Sequence, residues 1–145
     1  MGVFSAMNVS ATGMTAQQMR MDVIAQNIAN ANTTRTENGG AYRRKTVVFE
    51  EQDTTSFDHM LNGYMSNYEP NGVKVTKIVE DPSDLCLVYE PDNPDANADG
   101  YVEMPNVDLV KEITDAMAAT QAYSANVTAF NTLKTVATRA LDIGK

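Results

Sequence analysis

The sequence predicts an α+β protein in which two long terminal α-helices pair as an antiparallel coiled coil, with a small central β-rich module between them. Apolar residues recur at heptad spacing near both ends of the 145-residue chain, and the stretch between is rich in β-branched residues and turn signals. The predicted domains are an N-terminal helix at 1–34, a β module with a long loop at 35–106, and a C-terminal helix at 107–145.

The N-terminal helix is predicted from about residue 4 to 31. Gly13 weakens its middle without ending it. Its heptad seam is apolar at every position except one glutamine and comprises Phe4, Met7, Ala11, Met14, Gln18, Met21, Ala25 and Ile28.

The C-terminal helix is predicted over 107–143. Pro105 precedes it, Asp108 is placed to cap its first turn, and Gly144 follows its end. Two seams at opposite ends of one chain favour antiparallel pairing, and their small residues leave room for a third helix. The second seam is apolar except at a threonine and a lysine, and comprises Leu109, Ile113, Ala116, Thr120, Tyr123, Val127, Phe130, Lys134, Ala137 and Leu141.

The central module is predicted from three strand-like segments, "RKTVVFEE", "GVKVTKIVE" and "DLCLVYE". Polar residues 52–71 are predicted to form a loop, with a short helical turn near 57–61. Cys86 is predicted to act as a small hydrophobe on a buried strand. The only basic run, 43–45, is predicted to be a solvated turn or strand edge.

Charge is scarce in both terminal segments. Arg20 and Asp22 are the only charged residues in 1–34, and 116–133 has none. Polar residues interrupt both segments too often for a transmembrane span, so low charge indicates burial against other protein. Any one of the Met and aromatic positions of the helices is equally consistent with a core within a single chain, and the low charge of the remaining faces favours burial between subunits. The predicted subunit interface comprises Phe4, Met7, Met14, Met21, Ile28, Ile113, Tyr123, Asn126, Val127, Phe130, Leu133 and Leu141.

The acidic loop Asp95–Gly100 has features of both a calcium site and a turn. Asp95, Asn97 and Asp99 match calcium-loop positions, and Gly100 matches the position of the sharp turn. The twelfth position is Asn106 instead of a bidentate carboxylate, and prolines exclude a preceding helix. The sequence therefore favours a turn built from residues that tolerate left-handed backbone geometry, and no metal ligands are assigned.

The sequence indicates no enzyme, cofactor or small-molecule substrate. His59 and Cys86 are the only candidates for a nucleophile pair, and no orienting third group is identifiable. The net charge of −8 argues against nucleic acid as a partner. A single cysteine excludes an internal disulfide, and the N-terminal residues lack the features of a cleaved signal peptide.

Three asparagines crowd the end of the first helix, although asparagine disfavours helix interiors. Asn27 and Asn30 are three residues apart and share one helix face, so we expect them to bond to a neighbouring helix or loop. Asn32 is placed at the helix exit, where its tolerance of left-handed geometry helps the chain to turn.

With these features the sequence resembles the bacterial flagellar axial-protein family, and more closely its proximal rod subunits. The segments "GVKVTKIVEDPS", "LVYEPDNPDANADGYVEMPNV" and "AYSANVTAFNTLKTVATRALDIGK" are similar to that family along nearly the whole chain. The family's N-(I/L)-A-N-x-x-T signature is represented here by Asn27, Ile28, Ala29, Asn30, Asn32 and Thr33.

The resemblance implies a structural, non-enzymatic subunit of the flagellar basal body that stacks helically. Its terminal helices would form part of the motor driveshaft around an export channel. Its partners would be other copies of itself, adjacent rod subunits and the export apparatus, which would carry it beyond the cytoplasmic membrane without a cleaved signal. The alternative is a soluble coiled-coil adaptor or export chaperone that forms a discrete complex.

Overall fold

The computed structural model describes residues 2–37, 39–52 and 71–143. Within them a long helix at each end flanks short strands, which confirms the α+β class and both terminal helices. The elements in chain order are α1 Val3–Ala29, β1 Lys45–Glu51, β2 Val73–Glu80, β3 Cys86–Tyr89, β4 Tyr101–Met104 and α2 Leu109–Ile143.

The described strands form two small sheets of two strands each, β1 with β2 and β3 with β4. The β3–β4 hairpin is antiparallel, with Val88 opposite Val102 and Tyr89 opposite Tyr101. Val102 is buried, while its neighbours Tyr101 and Glu103 are exposed. This alternation is that of a sheet with one face packed and one face open.

The chain forms two compact units, each containing part of both helices. One unit comprises Met1–Met19, Phe49–Thr76 and Ala119–Lys145, and the other Arg20–Val48 and Lys77–Ala118. In the first, the Val73 N–H donates to the Thr12 hydroxyl over 3.2 Å. The second contains a buried group of hydrogen-bonded polar side chains. The division into a helix, a β module and a helix at 34 and 106 stays a prediction.

Asp108 caps α2 as the sequence predicts. Its carboxylate accepts hydrogen bonds from the backbone N–H groups of Val110 at 2.9 Å and Lys111 at 3.3 Å. These are donors that the first turn of a helix leaves without partners. The cap explains why α2 begins at Leu109, and the proposed stop at Gly144 lies outside the described residues.

In α1 the side chains buried within the chain, which include Ala16 and Val23, are not members of the predicted seam. Ser10, Ile24 and Asn27 are buried, whereas each following residue, a member of the predicted seam, is half-buried or exposed. One residue rotates a helix face by about 100°. Apolar periodicity misplaced this face because two of its buried positions are polar and are held there by hydrogen bonds.

In α2 half of the predicted seam is correct. Tyr123, Phe130 and Ala137 are half-buried at their predicted positions. At two other predicted positions the preceding residue is buried instead: Glu112 in place of Ile113, and Ala119 in place of Thr120. Glu112 and Ala119 are the buried side chains of the described α2 residues. A buried glutamate is invisible to a pattern that counts apolar residues.

Cys86 is exposed, so its assignment to a buried strand was wrong. It shares a face with Val88 and the buried Val102, but it is the first residue of β3 and lies at the end of that face. The loop and helical turn predicted within 52–71 fall mainly on residues 53–70, outside the described residues, as does His59. No described helix is long and apolar enough to cross a membrane.

Candidate functional site

Asn27, the first residue of the signature, is 1% exposed and has all four of its amide hydrogen bonds made. Its Nδ2 donates to the Lys45 carbonyl at 2.8 Å and to Glu112 Oε2 at 3.0 Å. Its Oδ1 accepts from the Tyr42 hydroxyl at 3.0 Å and from the Lys45 N–H at 2.9 Å. The amide therefore joins the end of α1 to the start of α2 and to β1.

Glu112 is fully buried, and its carboxylate forms an ion pair with the guanidinium of Arg44. The Arg44 Nε donates to Glu112 Oε1 over 2.6 Å, while the other carboxylate oxygen accepts from Asn27. Both oxygens are thus satisfied in an environment where an unpaired charge would cost several kcal/mol. A buried carboxylate with this many partners is fixed in position, and it orients the amide of Asn27.

Arg44 extends this group of side chains to two further carboxylates. Its Nη1 lies 3.6 Å from Asp81 Oδ2, and its Nη2 lies 3.4 Å from Asp115 Oδ2. The second oxygen of Asp115 accepts from Arg20 Nη2 at 3.2 Å. Hereafter the "polar cluster" means Arg20, Asn27, Tyr42, Arg44, Asp81, Glu112 and Asp115.

The ionisation of the polar cluster follows from its contacts. Burial alone would lower the pKa of Arg44, but the hydrogen bond from its guanidinium to Glu112 and the carboxylate charges around it raise that pKa overall. Burial, then the charges of Glu112 and Glu80, raise the pKa of Tyr42. Hydrogen bonds from the Ser83 backbone and side chain lower the pKa of Asp81, and Arg44 adds to this. Arg44 therefore remains a cation and Tyr42 a neutral hydrogen-bond donor.

The interpretation of residues 43–45 as a solvated run was wrong for Arg44, whose side chain is only 12% exposed. Arg44 has carboxylates on three sides because β1 brings it against α2 and the chain after β2. Sequence reasoning missed Tyr42, Arg44 and Glu112 as site residues. The one available signal was Glu112, a charge at a heptad-related position in an otherwise weakly charged helix.

The remaining signature residues shape the exit from α1. Asn30 donates to the Gln26 carbonyl at 2.9 Å and accepts from the Thr33 hydroxyl at 3.2 Å, so its contacts are within its own turn. The Thr33 carbonyl accepts a hydrogen bond from the Tyr42 N–H at 3.0 Å. This bond holds Tyr42, a member of the polar cluster, beside the exit from α1. Asn32 is exposed in the turn that follows α1. The expected cross-bonding holds for Asn27 and not for Asn30.

The predicted interface residues are not brought together into a core. Phe4, Ile28, Ile113 and Leu141 are exposed. The other members are half-buried, and they are Met7, Met14, Met21, Tyr123, Asn126, Val127, Phe130 and Leu133. Their role in subunit contact stays a prediction.

The Asp95–Gly100 loop has the contacts of a turn, the interpretation that the sequence favours. Asn97 Oδ1 accepts the N–H groups of Asp99 at 3.0 Å and Tyr101 at 2.9 Å. Gly100 has a φ of 81°, which is costly for residues with a Cβ atom. Asp95 accepts from the Thr34 hydroxyl at 2.7 Å. No group of three or more potential metal-ligating acidic, histidine or cysteine side chains occurs among the described residues.

The chain is similar to known protein families at both ends and to known proteins over its full length. A family model described as "Flagella basal body rod protein" matches residues 7–35, and one described as "Flagellar basal body rod FlgEFG protein C-terminal" matches residues 98–143. The flagellar basal-body rod protein FlgC of Bacillus subtilis is 50% identical over 151 aligned residues that cover both chains completely.

Two further relatives carry the same name. FlgC of Borreliella burgdorferi is 43% identical over 149 residues, covering 99% of this chain and 98% of the relative. FlgC of Escherichia coli O157:H7 is 37% identical over 145 residues and is covered completely. Identities at this level over whole chains establish the relationship, and the protein therefore belongs to the FlgC family of flagellar basal-body rod proteins.

Proposed function

We propose that the protein is a structural subunit of the proximal rod of the flagellar basal body, and that it assembles through its two terminal helices. The observation that carries this proposal is full-length similarity to basal-body rod proteins, at 50% identity for the Bacillus subtilis relative. Its role is mechanical, and it needs no catalytic residue or cofactor.

The exposed apolar side chains of the helices support the proposal that the helices form the assembly surface. Phe4 is 82% exposed and Leu141 is 75% exposed, at opposite ends of the chain. Ile113 and Met117 are also exposed, on a helix that carries no charge between 116 and 133. Large apolar side chains that the monomer leaves in water are stabilised when a neighbouring subunit covers them.

Side-chain contacts between the ends of the chain support antiparallel pairing of the helices as a coiled coil. In one unit, Asn27 contacts Glu112 and Arg20 contacts Asp115, so the order along α2 is reversed. In the other unit, a Cβ atom added at Gly13 would lie 2.9 Å from Asn126 Oδ1, so the helices approach closely there. Small residues permit such close approach in a helix pair.

The polar cluster has a specific task in this proposal. A buried polar group fixes the register of paired helices, because any other register leaves it without partners. The hydrogen bond from Asn27 to Glu112 fixes the position of α1 against α2. The hydrogen bond from Asn27 to Lys45 fixes the start of β1 beside the end of α1. A fixed register presents the exposed faces of both helices in a constant geometry, which repeated assembly requires.

The implied partners are other copies of this chain, adjacent rod subunits and the flagellar export apparatus. The implied location is the basal body, beyond the cytoplasmic membrane. Helical stacking uses heterologous contacts, in which one face of a subunit meets a different face of the next. The terminal helices would then form part of the driveshaft and line its channel.

The test is incorporation of the full chain into basal bodies in cells that lack the native copy. Phe4→Ser and Leu141→Ser each remove an exposed apolar contact, and we expect incorporation to fall at least about tenfold, since burial of one such side chain is worth about 1.5–3 kcal/mol. Thr138→Ser, an exposed position on α2, is the matched control and should incorporate normally.

Quantitative mass spectrometry of purified basal bodies, together with motility, supplies the readout. Circular dichroism of the free variants checks that the helices still form. Undiminished incorporation of both serine variants would contradict assembly through the terminal helices. A stable, monodisperse complex with one soluble partner, and no chain in the basal body, would favour the adaptor alternative.

A further inference from the structure

The β3–β4 hairpin has an apolar face that is open to solvent. The residues on this face are Leu87 and Tyr89 of β3 and Tyr101 and Glu103 of β4, which are directly paired across the strands; they are called the outer hairpin face. Leu87 is 61% exposed, Tyr89 63% and Tyr101 43%. The open face of a small sheet is ordinarily polar, so three large apolar side chains on it indicate a contact surface.

The two tyrosines form a rigid feature on this face. Their ring centroids are 5.3 Å apart and their planes meet at 63°, an edge-to-face arrangement. Among the described residues neither hydroxyl has a hydrogen-bond partner. Gly100 packs against the Tyr89 ring, since a Cβ atom there would lie 2.9 Å from Tyr89 Cε2. Paired tyrosines held in place offer a large contact area at little entropic cost, as at the centres of protein interfaces.

The rim of the outer hairpin face is strongly acidic. Residues 84–103 contain no lysine or arginine, and their acidic residues are Asp84, Glu90, Asp92, Asp95, Asp99 and Glu103. A cavity of about 290 Å³ lies beside the face and is lined by Arg35, Asp95, Tyr101 and Glu103. Arg35 lies 3.9 Å from Asp95, while the Glu103 carboxylate has no cationic partner among the described residues. The surroundings therefore favour a partner with positive charge.

A second copy of this chain is a poor match for that requirement, because it carries a net charge of −8. Its only basic run is occupied: Arg43 donates to the Ser83 carbonyl, Arg44 is surrounded by carboxylates, and Lys45 lies 5.5 Å above the Tyr42 ring. Two copies meeting at the outer hairpin face would bring their acidic rims together, and like charges at an interface cost several kcal/mol. Anionic lipid is disfavoured for the same reason.

We propose that the outer hairpin face docks a different protein, whose contact surface has an apolar recess for Tyr89 and Tyr101 and a rim of lysine or arginine. One of those basic side chains pairs with Glu103 and enters the adjacent cavity. This contact is separate from assembly through the terminal helices, because none of its residues lies on α1 or α2.

The test places a photo-crosslinking amino acid at position 87 of the full-length chain in living cells. Crosslinked peptides identified by mass spectrometry should belong to a different polypeptide and should contain lysine or arginine. Glu103→Lys should reduce the crosslink at least about tenfold, while Glu103→Asp should retain most of it. Circular dichroism shows whether each variant is folded, and both substitutions are on the exposed face.

Several results would overturn the docking proposal: crosslinks to another copy of this chain, crosslinks to lipid, no crosslink at all, or an unchanged yield in Glu103→Lys. The amount of chain in purified basal bodies is measured in the same cells. Normal incorporation without a crosslink would refute docking and leave the rod function standing. A crosslink to a basic partner with no incorporation would support docking and refute the rod function.

Discussion

Replacing Asn27 by alanine tests whether the polar cluster holds the end of α1 in place. The substitution removes four hydrogen bonds, of which one goes to the buried carboxylate of Glu112. It also leaves the N–H and carbonyl of Lys45 and the hydroxyl of Tyr42 without those partners in a buried site.

The expected loss in the free energy of unfolding is about 4–6 kcal/mol. A neutral hydrogen bond contributes about 1 kcal/mol net, one to a charged group about 1.5–3 kcal/mol, and buried groups left unpaired add to the cost. The gain in helix propensity from asparagine to alanine is about 0.5 kcal/mol and does not offset this. Such a loss is a large part of a total stability of about 5–15 kcal/mol.

Asn30→Ala is the matched control, because the Asn30 side chain bonds to Gln26 and Thr33 within its own turn and to no other described residue. We expect it to cost less than about 1 kcal/mol. Urea unfolding followed by circular dichroism gives both free energies. Hydrogen exchange of the Lys45 amide, which donates to Asn27, reports the local effect and should accelerate only in Asn27→Ala. Equal losses in the two variants would refute the bridging role of Asn27.

Three further predictions concern the energetics of the fold. Because the pKa of Tyr42 is raised in the fold, its stabilising contribution is complete below about pH 10 and is lost as pH rises through the folded-state pKa; urea titrations from pH 7 to 11 should show a loss that Tyr42→Phe lacks. Arg44→Met should cost about 3–5 kcal/mol in urea unfolding by leaving Glu112 unpaired, and adding Glu112→Gln should restore part of it. Gly72→Ala places a methyl group against the branched side chain of Thr12 and should cost about 1–3 kcal/mol in urea unfolding, part of which Thr12→Ala should restore.

The parts of the fold that could be predicted from the sequence are those set by local chemistry. The caps and periodicity located both helices, and Asp108 caps α2 as expected. The buried face of each helix was harder to predict, because Asn27 and Glu112 are held in the interior by hydrogen-bond partners that are far away in the sequence. A periodicity that counts apolar residues therefore selected Ile28 and passed over Asn27, the buried residue beside it.

Long-range pairing explains the other corrections as well. Arg44 belongs to a basic run whose sequence predicts exposure to solvent. Its burial is favourable because the fold places the carboxylates of Asp81, Glu112 and Asp115 beside it. Cys86 belongs to an apolar segment whose sequence predicts burial, but it lies at the end of the packed face of the β3–β4 hairpin and is exposed. The crowding of asparagines at the helix end did identify the site, and Asn27 alone makes the expected contact with the other helix.

The central claim, that the terminal helices build the rod, is tested most directly by a high-resolution density map of the basal body from the same cells. We expect α1 and α2 of this chain to pack against helices of neighbouring subunits, with Phe4, Ile113 and Leu141 removed from solvent. A map in which the chain is absent from the rod, or in which these side chains remain exposed to solvent, would contradict it.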